Sequence, residues 1–266
     1  MKMERKDKKN EEIKNRHKRR IKEHWNTDAL AYQKRQKLST DYVHYGPSCP
    51  TEEDLNLLDE VQGKKIIELG CGGGQCSIAF AKRGAKCTGI DLSDEQIKFA
   101  KNLAKKNDVI VNFIQGDIEN LSIFDDECMD IAFSAYAFDW VQNLDEVFKE
   151  VSRILNQTGI LLFSMGHPFY ICLGDSPNPD DLKLKLSYFQ RDILEKDGNT
   201  GLTINYILPT IGDIINTLIS TGFCIEKIVE PEPVEEKFME GTSTDYYPVE
   251  VLKKVPATII VKARKK

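Results

Sequence analysis

The chain has 266 residues, long enough to bury a core, and a 41% hydrophobic fraction excludes a disordered or fibrous protein. Lys and Arg number 37 against 42 Asp and Glu, a formal net charge of −5, the opposite of the balance in a dedicated nucleic-acid binder. No apolar run approaches the roughly 18 residues of a membrane-spanning helix. Seven cysteines without zinc-like spacing point to a reduced, cytoplasmic protein with no metal site.

Residues 1–22 hold eleven Lys and Arg against four Asp and Glu, with no apolar core of a secretory signal. They read as a solvated, partly helical basic tail. Residues 23–62 read as a helical lid: Trp25, Ala29, Tyr32, Tyr42 and Tyr45 are interleaved with Lys and Gln, and residues 46–50 break the helix. Trp25 and Tyr32 are assigned to lid packing. Thr51 then caps a short helix that carries Leu55, Leu57, Leu58 and Val61.

From residue 63 to 266 short apolar runs alternate with amphipathic segments. Strands are expected at 65–69, 86–90, 109–114, 130–134 and 160–164, with helices between them. Ser93-Asp94-Glu95-Gln96 is a capping box. Leu144, Val147, Phe148, Val151, Ile154 and Leu155 form one helical stripe. Such alternation implies a parallel sheet covered on both faces. Residues 168–208, punctuated by Pro and Gly, read as an insertion over the ligand-binding edge of the sheet. A helix at 210–222 and strands at 223–229 and 258–262 complete the pattern.

The strongest local signal is Ile66-Ile67-Glu68-Leu69-Gly70-Cys71-Gly72-Gly73-Gly74, a strand running into a glycine-rich turn and then a helix. Glycines there allow positive φ and close approach of a ligand to the backbone. A dinucleotide fingerprint counted from Gly70 needs glycine where Gln75 stands, and counted from Gly72 it fails at Ser77, which disfavours a nicotinamide-dependent oxidoreductase. Asp91 ends the next strand, where a carboxylate accepts ribose hydroxyls, while Ser93 takes the helix cap. Gln115-Gly116-Asp117-Ile118 ends the third strand, with Asp117 suited to an adenine amino group and Ile118 to the ring face.

Together these residues, with 130–147, resemble class I S-adenosylmethionine-dependent methyltransferases, in motif detail over about residues 42–168. The resemblance implies an α/β, doubly wound, seven-stranded, mostly parallel Rossmann-like sheet. It implies S-adenosylmethionine as cofactor, leaving S-adenosylhomocysteine, with the glycine turn at the methionine part. The cofactor set so implied comprises Glu68, Gly70, Cys71, Gly72, Gly74 and Gln75, then Asp91, Leu92 and Gln96. Gly116, Asp117, Ile118, Ser134, Ala135, Tyr42 and Tyr45 complete it. His44, Phe138, Trp140, Phe169 and Tyr170 are the candidates for acceptor binding.

Methyl transfer from a sulfonium is an in-line displacement, so the protein mainly aligns the nucleophile, and a base is needed only if the acceptor loses a proton. His167, after the fifth strand, and Asp139, where many small-molecule members place a His, are the catalytic candidates. Three functions compete. The first is a methyltransferase for a small-molecule acceptor at oxygen, nitrogen or sulfur. The second acts on RNA or protein and docks through residues 1–22. The third is a non-catalytic S-adenosylmethionine-binding regulator.

Overall fold

The computed structural model describes residues 2–174, 178–197, 199–234 and 247–266. Helix α1 (Lys2–Gln36) runs unbroken for 35 residues, so no boundary falls at residue 22. The reason is local: residues 2–36 contain neither Gly nor Pro, and nothing interrupts the ladder. Nor is the second half of the basic segment a solvated tail, since His17 and Ile21 are buried against the body. Among the described residues no helix is long and apolar enough to cross a membrane.

After a loop and the short helix α2 (Glu52–Leu55), strands and helices alternate: β1 (Lys65–Leu69), α3 (Gln75–Lys82), β2 (Lys86–Asp91), α4 (Asp94–Lys106), β3 (Val111–Gln115) and β4 (Met129–Ala135). A 3-10 turn (Phe138–Trp140) precedes α5 (Leu144–Ile154) and β5 (Leu155–Gly166). The seven-stranded sheet has the order β3-β2-β1-β4-β5-β9-β8, with β8 (Phe223–Val229) and β9 (Thr258–Lys265) at one edge. The pairings among β1 to β5 are parallel, and β9 runs antiparallel to both β5 and β8. Strand order reverses between β1 and β4, which opens a crevice at their C-terminal ends.

The helices form where the sequence caps them and presents one apolar stripe. The Ser93 hydroxyl accepts from the Gln96 N–H at 3.1 Å to start α4. Asn143 accepts from Asp145 N–H to start α5, whose Val147, Phe148, Val151 and Ile154 are fully buried. They pack with Phe138 and Phe163 on one face of the sheet. The other face holds Phe80, Phe133 and Tyr45, with the Phe80 and Phe133 rings edge to face at 5.2 Å.

The expected insertion contains α6 (Pro168–Ile171) and a hairpin of β6 (Asp192–Lys196) with β7 (Thr203–Ile207). The hairpin reaches across to α1 and the 3-10 turn. Arg20 Nη1 donates to the Thr203 carbonyl at 3.3 Å, and Gln142 Nε2 donates to the Asn205 carbonyl at 3.1 Å. Helices α7 (Ile211–Ser220) and α8 (Val249–Leu252) complete the chain.

Phe133 is fully buried between two aromatic neighbours, so Phe133→Ala lowers the free energy of unfolding in urea by about 3–5 kcal/mol. Ile110→Ala, at a side chain 95% exposed, changes it by less than about 0.5 kcal/mol.

Candidate active site

A cavity of about 340 Å³ lies at the C-terminal ends of the central strands, within the size range of small-molecule sites. Its floor comes from the sheet: Gly70 and Gly72 after β1, Asp91 and Leu92 after β2, Asp117 and Ile118 after β3, and Ala135 after β4. Its roof is α1 and the loop that follows, through His17, Ile21, Trp25, Tyr32, Gln36 and His44.

The glycine turn is built for backbone exposure. Gly70 has φ +68°, and a Cβ there would meet the Ala137 Cβ at 2.2 Å. Gly72 has φ +50° and faces open space, with no atom within 4 Å of where its Cβ would stand. Its N–H donates to Asp91 Oδ2 at 2.9 Å, while Ser93 N–H donates to Asp91 Oδ1 at 2.8 Å. Burial raises the Asp91 pKa, and those two donors oppose the shift. Asp91 therefore holds the turn, and each of its oxygens keeps a second lone pair.

Asp117 is engaged by the roof. Its Oδ1 accepts from Glu119 N–H at 2.9 Å, and its Oδ2 receives Lys18 from α1. Glu119, which the sequence reading passed over, is the junction. It accepts from Gln142 N–H at 2.8 Å and pairs with Lys18 at 2.8 Å and Lys14 at 3.2 Å. A second tie is a glutamine chain: Gln75 Nε2 donates to Gln33, and Gln33 Nε2 donates to Gln96 at 2.9 Å. Gln96 lines the cavity, whereas Gln75 is spent on Gln33 and does not.

One wall of the cavity is aromatic. Trp140 stacks on His24 with centroids 5.0 Å apart and meets Trp25 edge-on at 4.8 Å; Trp25 in turn meets Tyr32 at 5.2 Å. Trp25 and Tyr32 are thus walls of the cavity and not lid packing alone. Tyr136 and Tyr247, absent from the sequence-based set, also line it. Tyr136 sits at φ +59°, a costly conformation for a side chain of this size. It is held there by its N–H to the Ser164 carbonyl at 2.9 Å and its hydroxyl to Ala257 and Thr258.

Several candidates lie elsewhere, each for a visible reason. Glu68 is buried behind the turn, accepting from the Ser77 N–H and hydroxyl. Ser134 donates to the Leu69 carbonyl and pins β4 to β1. Cys71 and Gly74 pack around Phe113, and Gly116 packs against Ile90. Tyr45 is fully buried and donates to Glu52, while Tyr42 points outward, 39% exposed. Phe138 belongs to the core, Phe169 is 40% exposed, and Tyr170 stacks behind Tyr247.

Neither catalytic candidate lines the cavity. His167 caps α6, its Nδ1 accepting from Phe169 N–H at 3.2 Å and its Nε2 facing Glu230 at 2.8 Å. Asp139 accepts from the Gly166 N–H through both oxygens, and burial pushes it up to about 7. Both are positioned by backbone amides and serve the loop after β5.

Burial also pushes Glu68 up to about 7 from the ordinary 4.5, against hydrogen bonds from Ser77 that favour the anion. A folded-state pKa above the unfolded one stabilises the protein below about pH 4.5, and that stabilisation is lost as pH rises through 7. Glu68→Gln removes the titration. Between pH 5 and pH 8, wild type loses on the order of 3 kcal/mol more than the variant in urea unfolding.

A family model for methyltransferase domains matches residues 67–163, the stretch from β1 through β5 that builds the cavity floor. An uncharacterised protein of Haemophilus influenzae is 27% identical over 86% of this chain and 92% of its own length. A ubiquinone biosynthesis O-methyltransferase of Coxiella burnetii is 35% identical over 39% of this chain, which spans only 44% of that relative. The crystal structure of an S-adenosylmethionine-dependent methyltransferase from Mesorhizobium loti superposes with a TM-score of 0.66 at 24% identity, covering 79% of this chain and 95% of that one. Glycine turn, strand order and these likenesses agree: residues 67–163 form a methyltransferase domain, and the chain has the fold of S-adenosylmethionine-dependent methyltransferases, whose cofactor is S-adenosylmethionine.

Proposed function

We propose that this enzyme methylates a small molecule held beneath α1, in the cavity the cofactor also occupies. The observation that carries the reading is the roof. Lys14 and Lys18 of the basic segment are paired with Glu119, Asp117 and Glu146, and Lys22 pairs with Asp94 at 2.8 Å. Those three cations are spent within the molecule and clamp α1 over the site, which supports a covering role for this part of the basic segment over RNA docking. The likeness to an O-methyltransferase of ubiquinone biosynthesis supports a small acceptor.

The residues fit the cofactor. Gly72 leaves bare main chain facing the cavity, and Asp91 keeps acceptor capacity for two hydroxyls. Trp25, Tyr32 and Trp140 give the cavity an aromatic lining of the kind that favours a sulfonium cation. The bound cofactor supplies a methyl group already activated for displacement. The chain's own residues then align the acceptor and keep water out, which the covering helix does by closing the crevice.

Isothermal titration with S-adenosylmethionine gives one saturable site per chain, and Asp91→Ala weakens it by about 1.5–3 kcal/mol. With methyl-labelled cofactor and a cell extract, the label enters the small-molecule fraction. Label confined to RNA or protein overturns the small-acceptor reading, and no binding at millimolar cofactor overturns the role assigned to the cavity.

A further inference from the structure

Resting on the reading of this cavity as a methyl-transfer site, we infer that His44 is a catalytic residue. It accepts the proton from the hydroxyl of an uncharged acceptor as that oxygen is methylated.

The placement is rigid. Val43 and Tyr45, on either side, are fully buried, so the extended segment turns its two neighbours into the core and leaves His44 in the cavity wall. The Val43 carbonyl accepts from Glu52 N–H at 2.9 Å, and the His44 carbonyl receives the Cys76 thiol, in the first turn of α3, at 3.7 Å. His44 is thereby fixed beside the helix that follows the glycine turn. Gly46, two residues on, lies against the Tyr136 ring, where a Cβ would stand 2.1 Å away. The backbone at His44 is therefore held between α3 and the strained residue at the end of β4, and its side chain lines the cavity.

The ring is unfinished in the protein alone. Nδ1 is buried and has no hydrogen-bond partner, and Gln36 Oε1, in the same cavity wall, is likewise unpartnered. Buried polar atoms are almost always satisfied, so two orphans sharing one cavity point to a ligand with hydrogen-bonding groups. Burial holds the imidazole neutral, its pKa lowered to about 4, so a ring lone pair is present at neutral pH. Apart from its carboxylates and lysine, the cavity is lined by the titratable side chains of His17 and Tyr32 on α1, Tyr136 after β4 and Tyr247 ahead of α8, and the Cys76 thiol on α3 meets the His44 carbonyl. Burial raises Tyr32 to about 12 and keeps Tyr136 and Cys76 protonated, and the His17 ring faces the Trp140 carbonyl at 3.5 Å.

Charge decides the acceptor class. Among the described lining residues the carboxylates and the one lysine, Lys18, Asp91, Asp117 and Glu119, cluster where β2 and β3 end. Apart from His17 and His44, the rest of the lining carries hydroxyl, amide, aromatic and apolar groups, which suit an uncharged molecule. In the step, a lone pair of the acceptor oxygen forms the bond to the methyl carbon. The carbon–sulfur pair stays on sulfur, and the hydroxyl proton passes to His44. An oxygen being alkylated becomes far more acidic than any imidazolium, so a weakened base suffices. The positive charge leaves sulfur and reappears on the ring, inside the same aromatic walls.

The test uses the full chain with His44→Asn and His44→Ala. Both variants are expected to bind S-adenosylmethionine within threefold of wild type by calorimetry. Labelled methyl transfer into the small-molecule fraction of an extract falls at least about 100-fold. Added imidazole restores part of the rate in His44→Ala. In protein labelled with ¹³C-histidine, the resonance missing from His44→Asn titrates well below the ordinary value near 6.5 and shifts on adding S-adenosylhomocysteine. Transfer at the wild-type rate in both variants, or a ring that titrates near 6.5 and ignores S-adenosylhomocysteine, overturns the inference. Wild-type protein that binds no S-adenosylmethionine overturns the underlying reading instead, a result the variants cannot mimic.

Discussion

The hydrogen bond from Gly72 N–H to Asp91 is the constraint on which the site depends. It joins the turn after β1 to the end of β2, across two strands that are already paired in register from Lys65 with Lys86 to Leu69 with Ile90. The sheet brings the two ends within reach, and the carboxylate then holds the turn open with its bare glycine toward the cavity. Burial makes an anion at position 91 costly, and two backbone donors offset part of that cost. A ligand with its own hydroxyl donors would offset more, so the site is more complete when filled than when empty.

What the sequence disclosed follows the range of its signals. The glycine turn, Asp91, Asp117 and the strand–helix alternation depend on neighbours in the chain or on period, and the sheet formed from them as read. The lid expected at residues 23–62 supplies Trp25, Tyr32, Gln36 and His44 to the roof, whereas the part before it reads as a solvated tail because its apolar stripe is hidden among charges. His17, Ile21, Trp25, Tyr32 and Gln36 lie on one side of α1 at helical spacing, yet Lys and Arg dominate the same segment. High charge suggested solvent, whereas Lys14 and Lys18 are paired with carboxylates of the body.

The catalytic candidates failed for a different reason. His167 and Asp139 were placed from their position after a strand, which says where a backbone goes but not where its side chain points. Each is captured by a local amide, from Phe169 and Gly166 respectively. Which side chains reach the cavity is decided by tertiary contacts that neither position announces in the sequence. His44 is separated from the β4 end by more than ninety positions, and only the folded chain brings it into one cavity with Tyr136.

Helix α1 has a further consequence. The ceiling of the chamber is written in residues 17–44, while the matched methyltransferase segment begins only at residue 67. Its shape from above can therefore drift by changes in one helix and the loop after it, with no residue of the sheet altered. Floor and ceiling are encoded in separate stretches of one polypeptide, so a lineage can reshape the one without rebuilding the other.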